Sequence, residues 1–186
     1  MTLTHFGLAA LLTLSSLHAS AQTTVATEWP PVQTIATLDV PRYMGTWYEI
    51  AKFPNRFQAK CTSNTRARYL AQTDGTVQVL NSCVTSDGHT IDALGLAKQI
   101  GSATSPQLQV RFAPAWLGWL PMVWGDYWVI DLDADYQLAA VSDAKREYLW
   151  VLSRTPQVNA KAYDALLERL KAQHFEVQKL QPTPQR

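Results

Sequence analysis

Reactive side chains are few in this chain, and their spacing gives little support to catalysis. Cys61 and Cys83 are the only cysteines. In a chain that carries an export leader, an even count points to one disulfide; left free, either thiol would be the one candidate nucleophile. Simple hairpin register sets Cys83 opposite about Asn64, some three residues from Cys61. At about 3.3 Å per residue that gap is too wide for a bridge unless a strand bulges or curls, but the oxidising compartment favours pairing. Of the four histidines, His5 and His18 fall in the leader, His89 at a strand edge and His174 at a helix end. No His, Cys and carboxylate spacing fits zinc, and His89 is a poor candidate for the inward ligand a haem requires. Neither a glycine-rich phosphate loop nor a serine nucleophile elbow is present. No cofactor, no metal and no catalytic residue is therefore expected. A formal charge of +1 gives no electrostatic pull towards nucleic acid. What the chain has in excess is rings: seven Trp and seven Tyr in 186 residues. They suit a cavity or a surface walled with aromatics, although large cores use Trp as well.

The elements that would position these rings are mostly short strands. Residues 1–21 read as a signal peptide, with an apolar run from Phe6 to Leu17 and the small-x-small site Ala19-Ser20-Ala21. Residues 22–37 read as a flexible lead-in, and 38–180 as one folded domain. Alternation and turn residues place strands at 46–53, 62–70, 76–84, 90–99, 108–112, 126–132, 136–142 and 147–154. Asn159 caps a helix running to about Gln173, whose stripe is Ala162, Leu166, Leu167 and Leu170. A short last strand is expected around Phe175-Glu176-Val177, and 181–186 as a loose tail. Sequential antiparallel strands at this spacing suggest a sandwich or an up-and-down barrel, and periodicity does not choose between them.

Three stretches are more specific. They are Tyr43-Met44-Gly45-Thr46-Trp47-Tyr48-Glu49-Ile50 on the first strand, Gly125-Asp126-Tyr127 opening the sixth, and Leu149-Trp150-Val151-Leu152-Ser153-Arg154-Thr155-Pro156 ending the eighth. Together they resemble the three signature regions of the lipocalins, in particular the bacterial outer-membrane branch with its apolipoprotein D-like relatives. The likeness spans about residues 38–180. It implies an all-β fold: an eight-stranded antiparallel up-and-down β-barrel with one C-terminal α-helix packed outside. It also implies that Gly45, Trp47 and Arg154 form a structural signature, with the arginine stacked over the tryptophan at the closed base. Bacterial members of that branch often carry a cysteine at the signal cleavage site. This chain has none, so an exported protein is expected, in the periplasm or associated with the outer membrane, without a lipid anchor. The Trp-rich segment 113–125 is longer than the branch leads one to expect.

If Trp47 points inward, parity carries Glu49, Ala51 and Phe53 with it. By the family pattern Ala67, Tyr69, Val79, Asn81, Leu108, Val110, Phe112 and Trp150 also look inward. This set either fills a small barrel or lines a cavity for a fatty acid or lysophospholipid. Glu49, as a carboxylate inside a barrel, must be paired, hydrated or protonated; satisfaction by a neighbouring Tyr or Arg is favoured over a ligand head group. Trp116, Leu117, Trp119 and Leu120, between the fifth and sixth strands, stand at the open end. They would cover the cavity, meet a membrane surface or join a second copy as a homodimer. The expected function is lipid carriage or storage in a bacterial envelope for membrane maintenance. The competing class is an enzyme of the same fold acting through a free thiol at Cys61 or Cys83.

Overall fold

A computed structural model describes residues 29–186. The signal-peptide assignment and the start of the lead-in lie outside the described residues. After a single turn of helix, α1 (Val40–Tyr43), come the strands β1 (Gly45–Lys52), β2 (Cys61–Ala71), β3 (Val77–Thr85), β4 (Thr90–Gln99), β5 (Gln107–Arg111), β6 (Gly125–Leu132), β7 (Leu138–Ser142) and β8 (Leu149–Ser153). Each pairs antiparallel with the next, and β1 closes the ring by pairing with both β2 and β8. The barrel alternative is therefore the correct one. Helix α2 (Ala160–Ala172) packs outside, and a two-residue strand β9 (Gln181–Pro182) joins β1.

Two apolar clusters share the wall. Inside are Trp47, Ala67, Tyr69, Val77, Val79, Ala97, Leu108, Val129, Val141 and Leu152. Outside, Leu166 and Leu170 of α2 cover Ala51, Phe53, Ile130, Leu138, Ala140, Leu149 and Val151. The alternation of β7 and β8 between these clusters is period-two patterning with both faces buried, which explains their almost unbroken apolar run. Asn159 accepts the backbone N–H of Ala162 and starts α2 as an N-cap.

Carboxylate-capped turns trim two predicted strands. Asp133 Oδ1 accepts the N–H groups of Gln137 and Leu138, each at 2.6 Å. Asp143 accepts those of Lys145 at 3.0 Å and Tyr148 at 2.8 Å. Such local side-chain bonds compete with the ladder.

Both ends of the chain differ from expectation. Within the lead-in, Val32 is buried, Ile35 donates its N–H to Val129 O at 3.1 Å, and Trp29 stacks on His174 at 4.3 Å. Residues 29–37 are thus part of the packed domain. No strand forms at Phe175: that residue is buried against α2 and a 3-10 turn follows at Val177–Lys179. Nor is the tail loose. Thr183 donates its N–H to Ile50 O at 2.9 Å, and Asn64 donates to Pro184 O at 2.8 Å. Gln185 Nε2 reaches Glu49 O at 2.7 Å and Thr65 O at 2.9 Å. These bonds fill the upper half of the β1–β2 seam, where the two strands no longer pair directly.

Candidate ligand-binding site

The closed base is built first. Gly45 has φ +95°, a backbone conformation that favours glycine, and Arg154 Nη1 lies 3.4 Å from where a Cβ would stand. The guanidinium carbon of Arg154 stands 4.0 Å from the centre of the Trp47 ring. Its fork donates to the carbonyls of Arg42 (2.7 Å), Met44 (2.8 Å), Thr46 (3.1 Å) and Tyr136 (3.2 Å). Trp47 donates Nε1–H to Tyr43 O at 2.9 Å and is fully buried. One cation thus ties the start of β1 to the end of β8, as expected of this trio.

Above the base lies a floor of three phenols. Tyr127 OH is 2.9 Å from Tyr43 OH and 2.9 Å from Tyr69 OH. Burial pushes all three hydroxyls up from their ordinary value, Tyr69 to about 12, Tyr43 further, and Tyr127 well above its ordinary value. They are neutral at any physiological pH.

Above the floor the interior opens. Asn81, Val110, Tyr127 and Trp150 point into the ring, yet all four are only half-buried. In a filled barrel these positions would be as buried as Val79 or Leu108. Incomplete burial at these inward positions is what a cup above the floor would leave. Phe112 lies over Gly95 on the inner face, where a Cβ would come within 2.7 Å of its ring. Phe112 is 44% exposed, because β5 pairs with β4 only over Leu96–Gln99 and the wall above is open.

A polar cluster stands on the opposite side of the mouth. A bulge in β1 between Glu49 and Ala51 resets the parity. Glu49 stays inside, but Ala51 and Phe53 turn outward to α2, correcting their assignment to the interior, and Lys52 turns in. Glu49 is buried and accepts from Lys52 Nζ at 3.0 Å, from Thr183 Oγ1 at 2.5 Å and from Gln58 Nε2. Its partners are thus a lysine, a threonine and a glutamine rather than a Tyr or Arg. Gln58 comes from the β1–β2 loop and also accepts from Trp150 Nε1 at 3.0 Å. Lys52, Gln58 and Thr183 escaped the sequence reading. The bulge could not be read from alternation, and Thr183 is distant in sequence.

Cys61 and Cys83 are joined at the rim, Cα to Cα 5.5 Å. Two register shifts in β2, between Cys61 and Ser63 and between Ser63 and Arg66, close the gap that regular pairing leaves. Neither cysteine is free, so the thiol that the enzyme alternative requires is absent. His89 sits exposed in the β3–β4 turn. Replacing both cysteines with serine should cost about 3 kcal/mol, from the loop entropy the bridge removes. Urea midpoints of the oxidised protein and the double variant measure it, and equal midpoints would refute a stabilising bridge.

The Trp-rich segment does not cover the cup. Trp124 donates Nε1–H to Gly118 O at 2.8 Å, and its ring lies 4.3 Å from Lys98 Nζ. Arg111, on the outer face of β5, is buried beneath the loop and donates to Ala113 O at 2.5 Å. The segment therefore folds down the outer wall of β4 and β5, held by cations that alternation already places outside. Of the roles open to Trp116, Leu117, Trp119 and Leu120, this placement argues against covering the cavity and leaves contact with a membrane surface or a second copy. Trp116 and Trp119 are 73% and 77% exposed.

Residues 38–185 match the family described as a lipocalin-like domain. Temperature-induced lipocalin-1 of Arabidopsis thaliana is 40% identical over 160 residues, covering 86% of each chain. The outer membrane lipoprotein Blc of Escherichia coli is 35% identical over 153 residues, covering 81% of this chain and 82% of its own. Among solved structures, insecticyanin from the tobacco hornworm Manduca sexta superposes with a TM-score of 0.65 at 18% identity, covering 84% of this chain and 85% of that one. That likeness concerns the fold alone.

Proposed function

The chain belongs to the lipocalin family, and from that premise we propose that it holds one fatty acid or lysophospholipid in its cup and carries it within a bacterial envelope. The observation that carries this reading is the half-buried state of inward residues in a closed ring. Such surface is wasted unless an apolar molecule covers it. The walls, Val110, Phe112 and Trp150, suit an acyl chain. At the mouth Lys52 uses one of its three protons on Glu49, leaving the others to meet a carboxylate or phosphate. The Escherichia coli relative is named an outer membrane lipoprotein, which supports an envelope location.

Native mass spectrometry of gently purified protein, followed by lipid extraction, tests the reading. One co-purified fatty acid or lysophospholipid per chain is the expected result, and the same spectrum reports whether one or two copies fly together. A protein that arrives empty and takes up no fluorescent fatty acid would overturn it.

Delivery requires contact with a bilayer, and the exposed Trp116, Trp119 and Met122 ridge on the outer wall is the surface that supports it. Vesicles of mixed phosphatidylcholine and phosphatidylglycerol should blue-shift the tryptophan emission. Replacing Trp116 and Trp119 with alanine should weaken partitioning at least about tenfold with little change in stability, since both rings are exposed. Emission indifferent to vesicles would remove the membrane from the proposal.

A further inference from the structure

The phenol floor offers a hydrogen bond that the protein itself does not use. Tyr43, Tyr127 and Tyr69 bring three hydroxyl protons, but their two contacts consume only two. Among the described residues no other acceptor meets these hydroxyls, so one proton is left over. Its place follows from burial. Tyr43 and Tyr69 are 3% and 5% exposed, and a donor stranded at either is the costlier choice. The two contacts fit either direction; with Tyr43 and Tyr69 donating to the oxygen of Tyr127, the spare proton falls to Tyr127, the one of the three that is only half-buried. A second hydroxyl stands on the same inner wall: Thr65 Oγ1, on the face of β2 that carries Ala67 and Tyr69, is buried with no partner.

We propose that the cup selects a lipid bearing an uncharged oxygen, a hydroxyl or carbonyl, along or at the end of its chain, with Tyr127 as the group that recognises it. This rests on the reading of the cup as a lipid site. The level of Tyr69, opposite Gly45, lies four residues below Glu49 on β1. At 3.3 Å per residue that is roughly 13 Å along the strand. A head group at Lys52 and an oxygen at Tyr127 are thus met by different parts of one chain. The floor favours a neutral oxygen over a carboxylate, because a carboxylate there would be buried without a cation beside it: Arg154 is committed to the base carbonyls below. A plain alkyl end would leave the Tyr127 proton without an acceptor.

The test measures affinities for hexadecanoic acid and its mid-chain and terminal monohydroxy derivatives, by displacement of a fluorescent fatty acid. At least one hydroxylated acid should bind about tenfold tighter than the plain acid, the worth of one buried hydrogen bond. That preference should shrink below about twofold when Tyr127 and Tyr69 are both replaced by phenylalanine, which leaves only the deeper Tyr43. Plain acid binding as tightly as every hydroxylated one in the native protein would overturn the proposal, whether or not the variant folds. So would a preference that survives the double replacement. Failure of every acid to bind would instead strike the lipid-cup reading beneath it.

Discussion

Trp47→Ala should lower stability by about 3–5 kcal/mol, the usual cost of truncating a fully buried tryptophan. In a domain of this size that corresponds to a fall in Tm of roughly 10–15 °C. The cost is high because the ring does three things at once. It fills the closed base, donates to Tyr43 O and supplies the face on which Arg154 lies. Arg154→Lys should follow at about 2 kcal/mol: an ammonium lacks the flat surface, and its three donors cannot span four carbonyls held in fixed directions. Thermal melts of the two variants rank the effects. If Arg154→Lys melted with the native protein, the stack would be a bystander and the base would rest on Trp47 packing alone.

Alkali should unfold this barrel steeply. In the unfolded chain the tyrosines ionise near 10, whereas Tyr69 is held at about 12, Tyr43 higher still and Tyr127 well above 10, chiefly by burial. A raised pKa means that the folded state keeps its proton after the unfolded state has released it. The stabilisation is whole below pH 10 and is lost as pH climbs, through the window to about 12 for Tyr69 and through their own raised values for its two partners. Each retained proton costs about 1.4 kcal/mol per pH unit there, so the trio together reaches about 4 kcal/mol per unit. A domain with 5–15 kcal/mol in hand is exhausted within a few units. The phenolate absorbance of this trio should arrive in one step with the loss of β-sheet circular dichroism. A gradual, reversible rise while the barrel stays folded would mean that water in the cup already solvates all three hydroxyls.

Local chemistry written in neighbouring residues was legible from the sequence alone. Strand order, the hairpin turns, the Asn159 cap and the leucines of the α2 stripe depend on periods of two and 3.6 residues and on turn residues, whereas Ala162, expected in that stripe, is exposed and Tyr163 packs in its place. The base trio of Gly45, Trp47 and Arg154 was legible only through the family resemblance; the positive φ of the glycine and the stack itself belong to the structure. Tertiary structure decided what a single inserted residue or a long return of the chain controls. The bulge after Glu49 sent Ala51 and Phe53 to the helix and brought Lys52 inside, since one extra residue reverses every side chain beyond it. Register shifts in β2 brought Cys61 to Cys83. Closure of the ring left the upper β1–β2 seam for Thr183 and Gln185 to fill, at a separation of over a hundred residues. The Trp-rich segment turned outward because Lys98 and Arg111, on the outer faces of β4 and β5, lay ready to hold Trp124. Alternation reports which face a residue prefers; only the closed barrel decides what stands opposite it.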